Sequence, residues 1–143
     1  MADFKESFNK FNDTPDMTDA FDPQDVEQNK VMGILAYVGI LVLVPIFAAR
    51  ESRFARFHAN QGLILLITEA AIGLASAVIG AFFGLLGVIP MIGLIFRIIR
   101  WTVLLACGFI ELACVLFIVL GIFNAAVGKA KELPVIGKFR ILK

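Results

Sequence analysis

Apolar residues in this chain gather into three long runs with short polar interruptions between them. Val31 to Ala49 carries no charge, Gly62 to Phe96 carries only Glu69, and Trp101 to Gly128 carries only Glu111. Each run is long enough for the roughly 20 residues that a membrane-crossing helix needs. The pattern predicts helices over about 30–49, 62–86 and 101–126. Pro45 in the first is tolerated where neighbouring helices or water satisfy the carbonyl it frees. The second run is too long for one untilted crossing and too short for two, and GVIPMIG at 87–93 supplies the break. Beyond it, LIFRIIRW places Arg97 and Arg100 three apart beside Trp101, a pairing suited to a membrane interface. The predicted fold is an all-α integral membrane bundle with three transmembrane helices. A four-crossing alternative makes Leu85 to Ile99 a short re-entrant or additional span.

Between the first two runs lies RESRFARFHANQ, residues 50–61. Arg50, Arg53 and Arg56 are spaced by three, as are Phe54 and Phe57, which predicts a short interfacial helix after the first crossing. Its rings would sit in the acyl boundary and its guanidiniums at phosphates. Asn60 and Gln61 are expected to satisfy free amides at the start of the second helix, with Arg56 and His58 at headgroup level.

Composition supports a bilayer as solvent: 59% of residues are hydrophobic, against roughly 45–50% in soluble domains. The net charge of +1 hides an uneven distribution. Residues 1–30 hold eight acidic and three basic side chains with Pro15 and Pro23, so residues 1–29 read as an acidic, mostly disordered tail. Within it Phe4, Phe8 and Phe11 would fall on one face of a short helix, and Asn12-Asp13-Thr14 is a glycosylation sequon only in a secretory lumen. Residues 30–128 form the transmembrane domain. Residues 129–143, with five basic side chains and one acidic, read as a basic interfacial tail. This tail repeats the Pro-x-Ile-Gly of Pro90 to Gly93 at Pro134 to Gly137, and both copies read as turns. No cleaved signal is expected. Counting Lys and Arg in the flanks places the C-terminus in the cytoplasm, and an even number of crossings would bring the N-terminal tail there too. The expected location is the cell membrane, multi-pass.

On the second helix Glu69, Gly73, Ser76, Gly80, Gly84 and Gly87 share one stripe. On the third, Cys107, Glu111, Cys114, Gly121, Ala125 and Gly128 make another. Small residues allow close backbone approach in lipid, so Gly73, Ser76, Gly80, Gly84, Cys107, Cys114 and Gly121 are read as a helix-packing seam, within the chain or between protomers. An ionised carboxylate facing lipid costs at least ~2.5–3.5 kcal/mol, so Glu69 and Glu111 are expected to point inward. From depth alone, Glu69 pairs with Asn124 and Glu111 lies near Tyr37. Both carboxylates serve either as polar glue between helices or as groups on an ion or proton path.

The chain's single histidine and two distant cysteines do not supply the three or four ligands of a zinc site. There is no HExxH, CxxC, phosphate-binding glycine loop or nucleophile elbow, and Ser52, His58 and Glu51 make no convincing hydrolytic set. No catalytic, cofactor-binding or metal residues are assigned, no cofactor is expected, and no nucleic-acid-binding surface is evident. The protein is not expected to be an enzyme.

The strings NKVMGILAYVGILVLVPIFAA, SRFARFHANQGLILLI, VIPMIG and GIFNAAVGKAKELPVIGKFRIL, covering Asn29 to Leu142, resemble a family of small bacterial membrane proteins of uncharacterised function. That family is distantly similar to Tic-twenty, a subunit of the chloroplast inner-envelope protein-import translocon. The resemblance picks out Phe57, His58, Asn60, Gln61 and Gly62 in the loop, and Asn124, Gly128, Lys129 and Pro134 in the tail, and it carries no catalytic residue. It implies a small non-enzymatic subunit or scaffold of a membrane assembly, homo-oligomeric or joined to other membrane proteins in the lipid bilayer. The alternative is a small homo-oligomeric channel or transporter with the two glutamates on its path.

Overall fold

A computed structural model describes residues 2–142, without the side chains of Ala2, Phe4, Lys5, Phe8 and Phe11. The ring face read from Phe4, Phe8 and Phe11 therefore lies outside the described residues. The described chain is all-helical: α1 (Ala2–Phe11), a 3-10 turn (Thr18–Ala20), α2 (Pro23–Leu35), a second 3-10 turn (Gly39–Val42), α3 (Leu43–Ala48), α4 (Arg53–Leu86) and α5 (Gly93–Ala126). An isolated antiparallel bridge joins Asp16 to Lys131. Two compact units result, one of Met1–Leu66 with Leu116–Lys143, the other of Ile67–Val115.

α4 and α5 are long and apolar enough to cross a membrane. Each has 34 residues, about 51 Å at 1.5 Å per residue, which exceeds the roughly 30 Å of a hydrocarbon core. Only 11% of the most apolar window of either is buried. The core helix of a soluble protein would be covered, whereas these present Leu74, Val78, Phe82, Leu105 and Phe109 to their surroundings. The protein is a membrane protein.

The first apolar run does not form the helix expected over 30–49. α2 stops at Leu35, Gly39 takes a positive φ of 50°, and Pro45 lies two residues into α3. A left-handed residue and a missing amide donor divide the segment into pieces too short to cross. The other helix starts also move. α4 begins at Arg53, not near residue 62, and α5 at Gly93, not near 101, so Arg97 and Arg100 are helical. The break after Leu86 falls where GVIPMIG predicts it.

The N-terminal tail, expected to be mostly disordered, is ordered by α1, a 3-10 turn and α2. Asp22 caps α2, its side chain accepting the Gln24 amide at 2.8 Å, with Pro23 in the first turn. In the first unit Val26 of α2, Phe54 of α4 and Ala130 form a core covered by Phe21 and Phe57.

The second unit is an antiparallel hairpin of the α4 and α5 segments it contains. A Cβ at Gly80 would lie 3.8 Å from Leu104, one at Gly84 would lie 3.2 Å from Arg100, and one at Gly87 would lie 3.0 Å from Arg97. These glycines are where the two helices approach. In its turn Met91 has φ 70°, the Ile92 amide donates to Pro90 at 2.9 Å and the Gly93 amide to Ile89 at 2.8 Å. In the first unit the repeat of this tetrapeptide folds alike: Val135 has φ 68°, Ile136 donates to Pro134 at 2.7 Å and Gly137 to Leu133 at 2.9 Å.

Candidate functional site

The motif residues of the loop and tail converge in the first unit. Ser52 and Asp25 start α4: the Ser52 hydroxyl accepts the Ala55 amide at 2.9 Å and the Asp25 carboxylate accepts the Phe54 amide at 3.0 Å. This displaces the capping role expected of Asn60 and Gln61, which lie two turns further along the helix and are buried.

Both amides instead bind the C-terminal backbone. Gln61 Nε2 donates to the Lys131 carbonyl at 3.3 Å while its Oε1 accepts the Leu133 amide at 2.6 Å. Asn60 Nδ2 donates to the Phe139 carbonyl at 2.7 Å, and its Oδ1 accepts the Ile141 and Leu142 amides at 2.6 and 2.9 Å. A primary amide offers two donors and an acceptor with two lone pairs, so each side chain replaces the missing strand partner of an irregular segment. The basic tail is thereby fixed, which its sequence alone, read as lying on the bilayer surface, did not indicate.

The N-terminal segment joins the same network. Asn12 and Asn124 exchange both side-chain hydrogen bonds, at 3.1 and 3.2 Å, and Asn124 is fully buried. Lys131 Nζ donates to the Asn12 carbonyl at 2.6 Å, the Met17 amide to the Ala130 carbonyl at 2.9 Å, and the Glu132 amide to the Pro15 carbonyl at 3.1 Å. The Thr18 hydroxyl accepts the Ala130 amide at 2.9 Å and also donates to Asp16. That bond holds the Asp16 carboxyl below its ordinary range against an opposing desolvation, with smaller help from the Thr18 amide and from Lys131 and Lys129. Glu69 is not the hydrogen-bond partner of Asn124: Asn12 is. Nothing in the acidic N-terminal sequence marks Asn12 for this, because its pairing rests on contacts 112 residues apart.

His58 is completely buried, contrary to the headgroup position expected of it. Its Nδ1 lies 2.9 Å from the Tyr37 hydroxyl, and its ring stacks edgewise on Phe54 and Phe57 with centroids 4.6 and 5.3 Å apart. Its Nε2 is buried and has no hydrogen-bond partner among the described residues. Phe54 is fully buried and Phe57 half-buried against Phe21, so these rings serve the core and not an acyl boundary. Tyr37 lies against Gly121, where any Cβ would overlap its ring. A Cβ at Gly62 would overlap the Ala36 carbonyl oxygen. Gly128, with φ 74°, ends α5 in the left-handed conformation as the Lys129 amide donates to the Asn124 carbonyl at 2.8 Å. Pro134 opens the tail turn.

The seam residues separate. Gly80 and Gly84 face the opposite helix, Ser76 and Cys107 are half-buried, and Cys114 is buried, while Gly121 meets Tyr37 in the first unit. Gly73 and Gly108 face open space. Both glutamates were expected to point inward. Glu69 is half-buried, but Glu111 is exposed, between the exposed apolar Ile110 and Leu112 of α5.

Among the described residues no group of three or more His, Cys, Asp or Glu is placed to hold a metal. No family model matches the chain. No solved structure matches it either. Two proteins of Paramagnetospirillum magneticum (strain ATCC 700264 / AMB-1) are similar to it. Magnetosome protein MamF is 29% identical over 109 residues, covering 76% of this chain and 79% of MamF. Magnetosome protein MmsF is 28% identical over 106 residues, covering 74% of this chain and 79% of MmsF.

Proposed function

We propose that this protein is a small non-enzymatic subunit or scaffold of a membrane assembly, self-associating or joined to other membrane proteins. The observation that carries the reading is the use made of its buried polar side chains. Asn12, Asn60, Gln61 and Asn124 are engaged with backbone groups or with one another, so these four amides serve to order the chain. Both relatives are named as magnetosome proteins. The resemblance to the Tic-twenty-like family points the same way.

Two crossings suit this reading better than three. Segments that hydrogen-bond to each other lie on one side of a membrane, and residues 12–18 bond to residues 124–132. α4 crosses outward and α5 returns. Of the 13 Lys and Arg residues, all but Arg97 and Arg100 then fall on the side of the termini, which the positive-inside tendency makes cytoplasmic.

Glu111 supplies the reason for association. A carboxylate exposed on an apolar helix is costly in lipid, and a neighbouring copy or partner helix that covers it relieves that cost. The channel reading uses the same residue, so flux separates the two. Protein reconstituted in sealed vesicles should conduct ions and protons no faster than empty vesicles. Conduction that Glu111→Gln abolishes while assembly persists would replace the scaffold with a channel.

A further inference from the structure

The first unit contains a basic hollow beside the polar network, whose Asn60 forms part of its wall. It measures about 230 Å³ and is lined by Arg53 and Arg56 of α4, Arg140 of the tail, and apolar surface from Phe21, Phe57 and Leu142. The guanidinium of Arg53 lies 5.8 Å from the centre of the Phe21 ring. Arg140 donates to Met17 Sδ at 3.6 Å and approaches Glu132 at 3.8 Å, a loose pair in which the arginine is exposed and the glutamate largely buried. Among the described residues neither Arg53 nor Arg56 forms an ion pair. Arg53 also borders a groove lined by Asp22, Asp25 and Glu51, which offset its charge. Arg56 and Arg140 are therefore the main cationic pair of the hollow.

Two arginines lining one hollow suit a phosphate, whose oxygens accept paired N–H donors. A second hollow of about 220 Å³ shares Arg56 and Leu142 with the first and adds Ile46 and Arg50. Its lining is mainly apolar. A free phosphate has no use for such a neighbour, whereas a phospholipid has an acyl stem to place there, beside a phosphate held by arginine. The arginines reach this arrangement only because Asn60 fixes residues 139–142 against α4.

We propose that Arg56 and Arg140 bind the phosphate of an anionic phospholipid, with Arg53 assisting and the adjoining apolar hollow receiving the start of an acyl chain. The site is specific and built from two distant segments, beyond the general attraction of a basic surface for a membrane.

The test uses the full chain in mild detergent, titrated with phosphatidylglycerol, phosphatidylcholine or inorganic phosphate, with bound lipid counted by native mass spectrometry. Phosphatidylglycerol should be retained about tenfold more tightly than phosphatidylcholine, and Arg56→Gln with Arg140→Gln should remove that preference. Arg56→Lys with Arg140→Lys should restore part of it, because charge returns without the paired donors. Arg97→Gln with Arg100→Gln removes equal charge elsewhere and should leave it intact. Equal retention of the two lipids overturns the proposal, as does a preference that survives Arg56→Gln with Arg140→Gln or disappears with Arg97→Gln and Arg100→Gln. Inorganic phosphate binding as tightly as phosphatidylglycerol, and displacing it, assigns the hollow to a free anion and overturns the lipid. Should the double variant fail to fold, Arg56→Gln alone takes its place, with a weakened preference expected and an unchanged one overturning the proposal.

Discussion

Asn12 and Asn124 face each other as a reciprocal amide pair, each donating to the other at 3.1 and 3.2 Å across 112 residues of chain. Both side chains are buried. Replacing one leaves the other with an unmet donor and acceptor out of contact with water. Asn124→Ala and Asn12→Ala should each cost roughly 1–3 kcal/mol. The double variant should cost less than the sum, because the second change removes a group already unpaired. Thermal melting of the detergent-solubilised protein measures all three, and additive losses would mean that the pair is not coupled.

Gly62 and Gly73 lie on one helix and predict opposite responses. At Gly62 an added methyl would overlap the Ala36 carbonyl, a backbone atom that cannot turn aside, whereas at Gly73 it meets open space. Gly62→Ala should destabilise the fold by about 3 kcal/mol, at the upper end of overpacking costs. Gly73→Ala should leave the melting temperature of the isolated chain within a degree or two. Equal melting of the two variants would contradict the close approach of α4 to residue 36.

The bonded termini make a topological prediction. In a chain with Cys107→Ala and Cys114→Ala, Asp13→Cys and Lys138→Cys should react with an impermeant thiol reagent from the same face of sealed vesicles. Met91→Cys, in the turn between α4 and α5 and fully exposed, should react from the other. Labelling of residues 13 and 138 from opposite faces would restore an odd number of crossings.

Asp16 gives the junction of the two tails a pH dependence. The Thr18 hydroxyl, with Lys131 and Lys129 nearby, stabilises the ionised carboxylate, so the folded chain releases this proton more readily than the unfolded one. The contribution is present in full above the ordinary carboxylate range, roughly pH 4, and is lost as pH falls through the depressed folded value. Backbone NMR signals of Ala130 and Glu132 should therefore shift with a midpoint below that of an unperturbed aspartate. Asp16→Asn should abolish the transition, and a midpoint at or above about pH 4 would show that the bond does not act this way.

Much of the architecture was legible from apolar run length, because a lipid-facing helix must be long and uncharged, and the break at GVIPMIG followed from proline and glycine. The first run misled for a local reason. It is as apolar as the others, but Gly39 in a left-handed conformation and Pro45 divide it, and apolarity does not reveal that a segment folds back on itself. Asn60, Gln61 and His58 stood out in the sequence, yet their partners did not, since Leu133, Ile141 and Tyr37 are brought to them by tertiary packing. Asn12 had no signal at all. Glu111 stood out as a lone carboxylate in an apolar run, but its exposure did not follow from the stripe it shares with Cys107 and Cys114, because a stripe does not say which side of a helix its neighbours cover.

Whether Glu111 is covered by another molecule is read from the native mass of the protein extracted from its own membrane in mild detergent, with identification of whatever remains bound. A subunit or scaffold predicts a discrete complex, either several copies of this chain or this chain in fixed ratio with other membrane proteins, and Glu111→Ala should weaken it. Recovery as a single chain free of protein partners, at native abundance and with Glu111 intact, would rule out the subunit or scaffold role.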